Sequence, residues 1–262
     1  MKRITSRHNA LVARYRDAAR GKAPGLMLLD GAHLVTEAAA AGIHIEHAAM
    51  SAADAGLRRL AGELERHGTE VVVASASVMD ALSPVRSSSA VVALAARPSN
   101  SPNRIYGANA ALVVIAAAVQ DPGNVGAMIR VAEAGGATGF VATTGTADPF
   151  GWKALRGSMG SALRLPVRTG VDPIAAVRDA KAKGCRIVAA TPRSGPTLYE
   201  TDLRGPSAVL IGSEGTGLPP VLETLADVRV SIPMRRPVES LNAAVTAALI
   251  VYEAQRQRMT LE

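Results

Sequence analysis

Cysteine is almost absent from this chain. Cys185 is the only one in 262 residues, which excludes an internal disulfide and a thiolate metal cluster and makes a reducing compartment the natural setting. Histidine is confined to one end: His8, His33, His44, His47 and His67 account for all of it. Chemistry in the remainder must therefore work without imidazole. His44 and His47 are close enough to suggest a metal pair, but no further ligand cluster accompanies them. Surface or packing roles are expected, and no metal site is predicted. Long apolar runs are missing too. The longest, ALVVIAAAV, falls far short of the roughly 20 residues that span a bilayer, and MKRITSRHN is not followed by the apolar stretch of a secretory leader. The expectation is a soluble, cytoplasmic protein with no membrane partner. No internal repeat and no long low-complexity segment is found.

Positive charge is in excess. Against 22 acidic side chains stand 29 basic ones, giving +7 and a sequence pI of about 10.1, which favours a polyanionic partner such as nucleic acid. The excess is dense at the start, where Lys2, Arg3, Arg7, Arg14, Arg16, Arg20 and Lys22 face only Asp17. A solvated helix face is the competing explanation.

Strand and helix patterns alternate twice over. The first half offers a basic helix over about 6–20, then LMLLDG, a helix through HLVTEAAAAG, a strand near IEHAAM, and a helix through GLRRLAGELERHG. EVVVAS, a short helix near SVMDALS and the strand AVVALAA complete a small α/β unit over 1–97. RPSNSPNRIYGANA, rich in Pro, Asn and Ser, predicts a linker over 98–109. From 110 to 262, ALVVIAAAV, GFVAT, LPVRT, CRIVAAT, AVLIG and VRVSIPM are six strand candidates with helices between most of them. That pattern indicates a mainly parallel sheet covered on both faces.

Ligands of such sheets bind at the carboxyl ends of strands, and three of those junctions are unusual. In QDPGNVGAMIR, Asn124 can cap a helix whose apolar positions are Val125, Met128, Ile129 and Ala132, with Gly135-Gly136 ending it. Arg130 falls about 140° round from Val125, off the apolar face, where solvation is the plain alternative. VLIGSEGTGLPP orders its glycines G-x-x-G-x-G, which fits neither a dinucleotide fingerprint nor a phosphate loop. Its glycines let backbone approach a flat ligand, and a simple turn leaves Glu214 unexplained. In IPMRRPVESLNAAVTAALIVYEAQ, Ser240 can cap a helix with apolar positions Leu241, Val245, Ala248, Leu249 and Tyr252, and Asn242 falls in its first turn.

In this order, QDPGNVGAMIR, IGSEGTGL and IPMRRPVESLNAAVTAALIVYE resemble the three motifs of the SpoU (TrmH-type) RNA ribose 2′-O-methyltransferases of the SPOUT superfamily. ADPFGWKALRGSMGSALRLPV is similar to the segment between motifs, with Arg156, Ser158 and Gly160 in their usual places. ITSRHNALV, DGAHLVTEA and AVVAL are similar to the family's ribosomal-protein-like RNA-binding module, although Asp30 stands where Glu is usual. The resemblance implies an α/β fold: a knotted methyltransferase domain with a deep trefoil, preceded by a small α/β RNA-binding domain. It also implies S-adenosyl-L-methionine as cofactor, held around Thr191, Gly212, Ile232 and Leu241, and a homodimer. It assigns catalytic roles to Asn124, Arg130, Glu214, Ser240 and Asn242, with Arg130 gripping phosphate beside the target ribose. RNA contacts are expected from Arg7, Arg14, Arg16 and Arg156. Large-subunit ribosomal RNA is the favoured substrate. A transfer RNA, or a silent RNA-binding protein on the same scaffold, are the alternatives; a nucleotide-dependent oxidoreductase is disfavoured by the glycine order.

Overall fold

The computed structural model describes residues 2–51, 55–99, 101–107 and 110–259. The first part of the chain forms β1 (Lys2–Ile4), α1 (Ala10–Ala19), β2 (Leu26–Asp30), α2 (Ala32–Ala40), β3 (Ile45–Ser51), α3 (Arg58–Arg66), β4 (Glu70–Ala74), α4 (Ala76–Leu82) and β5 (Val91–Ala96). It continues as α5 (Pro102–Tyr106), β6 (Leu112–Ala116), α6 (Pro122–Ala134), β7 (Gly139–Thr143), α7 (Trp152–Ser158), α8 (Ser161–Arg164), β8 (Val167–Val171) and α9 (Pro173–Ala182). The last elements are β9 (Arg186–Ala190), β10 (Ser207–Ile211), α10 (Pro220–Leu225), β11 (Val228–Val230) and α11 (Ala243–Met259). They pack into two units, Met1–Pro98 with Phe150–Arg164, and Ser99–Pro149 with Leu165–Glu262. None of the helices in the described residues is long and apolar enough to cross a membrane.

In the first unit the sheet order is β1-β4-β3-β5-β2, with β4 parallel to both neighbours and β5 antiparallel to both of its own. Helix α1 starts at Asn9, whose side chain accepts from the Leu11 N–H. It turns Val12, Tyr15 and Ala18 onto the core shared with Leu28, Val72, Val92 and Met79, which leaves Arg14, Arg16 and Arg20 exposed. His47 has a packing role: its Nδ1 lies 2.8 Å from the buried Tyr15 hydroxyl. Burial pushes the phenol up and the imidazole down, which favours the neutral form of both. The segment 150–164, expected within the second domain, packs here instead. Trp152 lies against this core, Arg156 pairs with Asp30 at 3.3 Å, and Arg164 pairs with Glu37.

The second unit's sheet runs β11-β9-β10-β6-β7-β8 and every pair is parallel. Each residue of β6, β7 and β10 is buried, as a sheet covered on both faces requires. All six predicted strands are present, but VRVSIPM is a strand only over Val228–Val230, with Ser231 adding an isolated parallel bridge to Thr197. The expected linker is also different, because it contains α5, which buries Ile105 and Tyr106 in this unit's core. Ser101 and the Pro102 at the first helical position are start signals that the loop-like composition obscured.

From edge strand β11 the chain returns past β9 to α11, which lies on α6 and β10. That return is the leg a knotted topology would use. The residues that α11 buries are Ala243, Ala244, Ala247, Ile250, Val251, Glu253 and Ala254. The face predicted to be core is outside: Val245, Leu249 and Tyr252 are 47%, 38% and 49% exposed. Helix α11 is apolar on more than one side, and its alanines permit the closer approach. At the end of α6 that approach is so close that a Cβ on Gly135 would run into Val251 Cγ1.

Gly135→Ala should therefore cost about 1–3 kcal/mol by overpacking. In denaturant unfolding, the Gly135→Ala/Val251→Ala double variant should be more stable than the sum of the two single losses. Strict additivity would show that this contact does not set the spacing of α6 and α11.

Candidate active site

Three segments far apart in sequence meet through one asparagine. Asp121, rather than Asn124, caps α6: its carboxylate accepts the Asn124 N–H at 2.7 Å, and Pro122 follows it. The Asn124 side chain is thereby free for other partners. Its Nδ2 donates to Glu214 Oε1 at 2.7 Å, and its Oδ1 accepts from Asn242 Nδ2 at 2.9 Å. Asn242 Oδ1 accepts the N–H groups of Ala244 and Val245 at 2.9 and 3.3 Å. Asn242 therefore caps α11 in place of Ser240, which is exposed and precedes the helix. A carboxylate only accepts, so Asn124 must turn its NH2 to Glu214 and its oxygen to Asn242. The direction of the whole relay follows from the charge on Glu214.

Beside the relay lies a cavity of about 270 Å³, walled by the ends of β9, β10 and β11, the loop after β10 and the start of α11. Thr191, Gly212, Ile232 and Leu241 all line it, as do Ser240 and Glu214. The Thr191 hydroxyl donates to the Ser194 carbonyl at 2.7 Å and fixes the turn after β9. The glycine-rich loop closes on itself: Ser213 and Gly217 exchange both backbone hydrogen bonds at 3.1 Å. A Cβ at position 212 would collide with the backbone of Gly217 and Leu218. Here glycine lets backbone approach backbone, and the cradle for a ligand is a consequence of that closure. Backbone walls with two carboxylates, Glu214 and Glu223, fit an adenosine bearing a cationic sulfonium.

Arg130 is not brought to this cavity within one chain. On α6 it lies about 9 Å along the axis from Asn124 and about 120° round it. It is exposed, and among the described residues no hydrogen bond or ion pair to its guanidinium is found. The N-terminal arginines are exposed but anchored: Arg7 Nε donates to the Ser77 carbonyl at 2.7 Å, Arg16 Nε to the Ala81 carbonyl at 3.4 Å, and Arg14 pairs with Glu46 at 2.8 Å. Arg156 pairs with Asp30, whose side chain is fully buried and also accepts from Ser83. Part of its cation thus serves the first unit's own packing. Asp121 was missed although the Asp-Pro-Gly order signals a helix start. Glu223 was missed because nothing in the sequence marks which side of α10 faces the cavity.

Asn242→Ala should remove the α11 cap and cost about 1 kcal/mol. Asn242→Asp should keep the cap while losing the donor to Asn124. Thermal unfolding of the two variants checks this. Equal stability of Ala and Asp variants would show that residue 242 does not cap the helix.

The SpoU rRNA methylase family model matches residues 111–252, and a model of the thiostrepton-resistance methylase N terminus matches 1–105. An uncharacterised tRNA/rRNA methyltransferase of Synechocystis is 34% identical over 97% of this chain and 94% of its own length. The crystal structure of the SpoU methyltransferase AviRb from Streptomyces viridochromogenes with AdoMet superposes with a TM-score of 0.89 at 29% identity, covering 97% of this chain and 99% of that one. An AdoMet-bound rRNA methyltransferase of Sinorhizobium meliloti gives 0.88 at 26% identity and 97% of both chains. Both halves of the fold and the cofactor are thereby accounted for. The chain belongs to the SpoU rRNA methylase family and is an RNA 2′-O-ribose methyltransferase that uses S-adenosylmethionine.

Proposed function

We propose that this protein methylates a ribose 2′-hydroxyl of large-subunit ribosomal RNA, in the cytoplasm and as a homodimer. The observation that carries the reading is the Glu214–Asn124–Asn242 relay, which fastens the three motif segments together at the edge of the cavity. Support for the substrate comes from relatives. A 23S rRNA guanosine-2553 2′-O-methyltransferase of Bacillus subtilis is 38% identical over 55% of this chain and 58% of its own length. A 23S rRNA uridine-2479 2′-O-methyltransferase of Streptomyces viridochromogenes is 37% identical over 65% and 61%.

Bound S-adenosylmethionine supplies a methyl group already activated by its sulfonium. Thr191, Gly212, Ile232 and Leu241 would hold it. What remains for the chain is alignment of the ribose oxygen and care of its proton. Arg130 grips the adjacent phosphate and stabilises developing alkoxide charge. It is unsuited to be the base, since a guanidinium keeps its proton at any physiological pH. Asn124 and Glu214 position these groups, and Ser240 and Asn242 shape the pocket wall. Arg7, Arg14, Arg16 and Arg156 offer phosphate contacts, with Arg7 and Arg16 contributing more because Glu46 offsets Arg14 and Asp30 offsets Arg156.

The apolar stripe Val245, Leu249 and Tyr252 on α11 supports the homodimer, because burying it between two copies removes a continuous exposed patch. In that assembly Arg130 serves the partner's cavity, which explains its distance from its own.

Arg130→Ala should keep cofactor affinity and dimerisation while single-turnover methyl transfer falls by roughly 100-fold or more. Arg130→Lys should restore little, lacking the planar fork. Near-normal transfer by the Ala variant removes Arg130 from the mechanism. Leu249→Asp should sediment as a monomer and lose transfer; an active monomer would contradict the dimeric site.

A further inference from the structure

The cavity is charged with one sign only. Among the described residues that line it, Glu214 and Glu223 are the sole ionisable side chains, and no Lys, Arg or His belongs to the lining. Glu214 is held by the amide of Asn124, a neutral donor that orients the carboxylate without cancelling its charge. Glu223, on α10, has Arg229 Nε at 3.8 Å, too far for a hydrogen bond, so its charge is only partly offset. At the rim, Arg193 and Glu239 neutralise each other at 2.8 Å. Arg235 and Arg236 follow the lining residue Met234, but both are exposed and outside the lining, where solvent and salt screen them.

The donor and its spent form differ in charge at one atom. S-adenosylmethionine carries a sulfonium, an ammonium and a carboxylate, and so one net positive charge. S-adenosylhomocysteine has lost the methyl group and the sulfonium charge with it, and is neutral overall. We infer that Glu214 and Glu223 make this pocket discriminate by charge, binding S-adenosylmethionine more tightly than S-adenosylhomocysteine, so that methyl transfer itself loosens the pocket's hold on the product. A unit charge pair about 6 Å apart, at an effective dielectric between about 20 and 80, changes binding by roughly 3-fold to 100-fold. The cavity opens to solvent, which places the effect in the lower part of that range. This rests on the cofactor assignment and not on the choice of RNA.

Calorimetric titration without RNA tests it with three probes: S-adenosylmethionine, S-adenosylhomocysteine, and sinefungin, in which a carbon replaces the sulfur and a protonated amine replaces the methyl group, keeping a positive charge one bond from the sulfonium position. The wild type should bind both cationic probes about 3-fold to 30-fold more tightly than S-adenosylhomocysteine. Glu214→Gln retains an oxygen to accept from Asn124, so it should weaken only the cationic probes, several-fold. Glu223→Gln should do the same to a smaller degree, because Arg229 already offsets that carboxylate. In the double variant the three affinities should lie within about 2-fold of one another. A wild type without preference, a preference that survives in the double variant, or an equal loss of all three probes would each overturn the inference. Because RNA takes no part, failure here leaves the methylation reading intact, and failure of methyl transfer to RNA leaves these affinities unchanged.

Discussion

One charged hydrogen bond orders the site. Glu214 can only accept, so it takes the NH2 of Asn124 at 2.7 Å and forces the Asn124 oxygen toward Asn242. Asn242, its NH2 committed, offers its own oxygen to the first N–H groups of α11. The start of α11 is thus set by a carboxylate on a loop that precedes it by two further elements of the chain. From that start, α11 lies on α6 with its alanine face, at a spacing that only glycine at position 135 permits. The segment between β11 and α11 becomes one wall of the cavity because β9 holds one of its ends through β11 and the relay holds the other at Asn242.

The same arrangement divides the charges of the molecule by function. Carboxylates face the cavity that takes a cationic cofactor. The guanidiniums proposed to meet phosphate, at Arg130 on α6 and at Arg7 and Arg16 on the first unit, are exposed. With no histidine after His67, the methyltransferase unit relies on an activated donor and on positioning rather than on imidazole acid–base chemistry. Among the described residues no group of His, Cys, Asp and Glu could hold a metal ion.

Much of this was legible in the sequence. Strands β6, β7, β9 and β10 of the second unit are apolar runs bounded by clear turn signals, and the loops after β9 and β10 meet the start of α11 around the cavity, whereas Arg130 stands outside it. The errors have a common origin in local cues with more than one satisfying partner. Asn124 and Ser240 are both good caps, but Asp121 and Asn242 hold those positions because tertiary contacts employ Asn124 elsewhere. Helix α11 carries two apolar faces, and the alanine-rich one packs because it can approach α6 closely, down to the contact of Val251 with Gly135. α5 was hidden by the composition around it, and the packing of 150–164 with the first unit depends on long-range pairs, Arg156 with Asp30 and Arg164 with Glu37, which no local period encodes.

The proposed substrate of this site is a ribose oxygen of large-subunit ribosomal RNA. Mapping 2′-O-methyl groups in large-subunit RNA from cells with and without the gene tests it most directly, followed by restoration with purified protein and S-adenosylmethionine. A 2′-O-methyl mark should disappear with the gene and return in the reconstituted reaction. An unchanged map, or a methyl group returned to a base instead of a ribose, would contradict it.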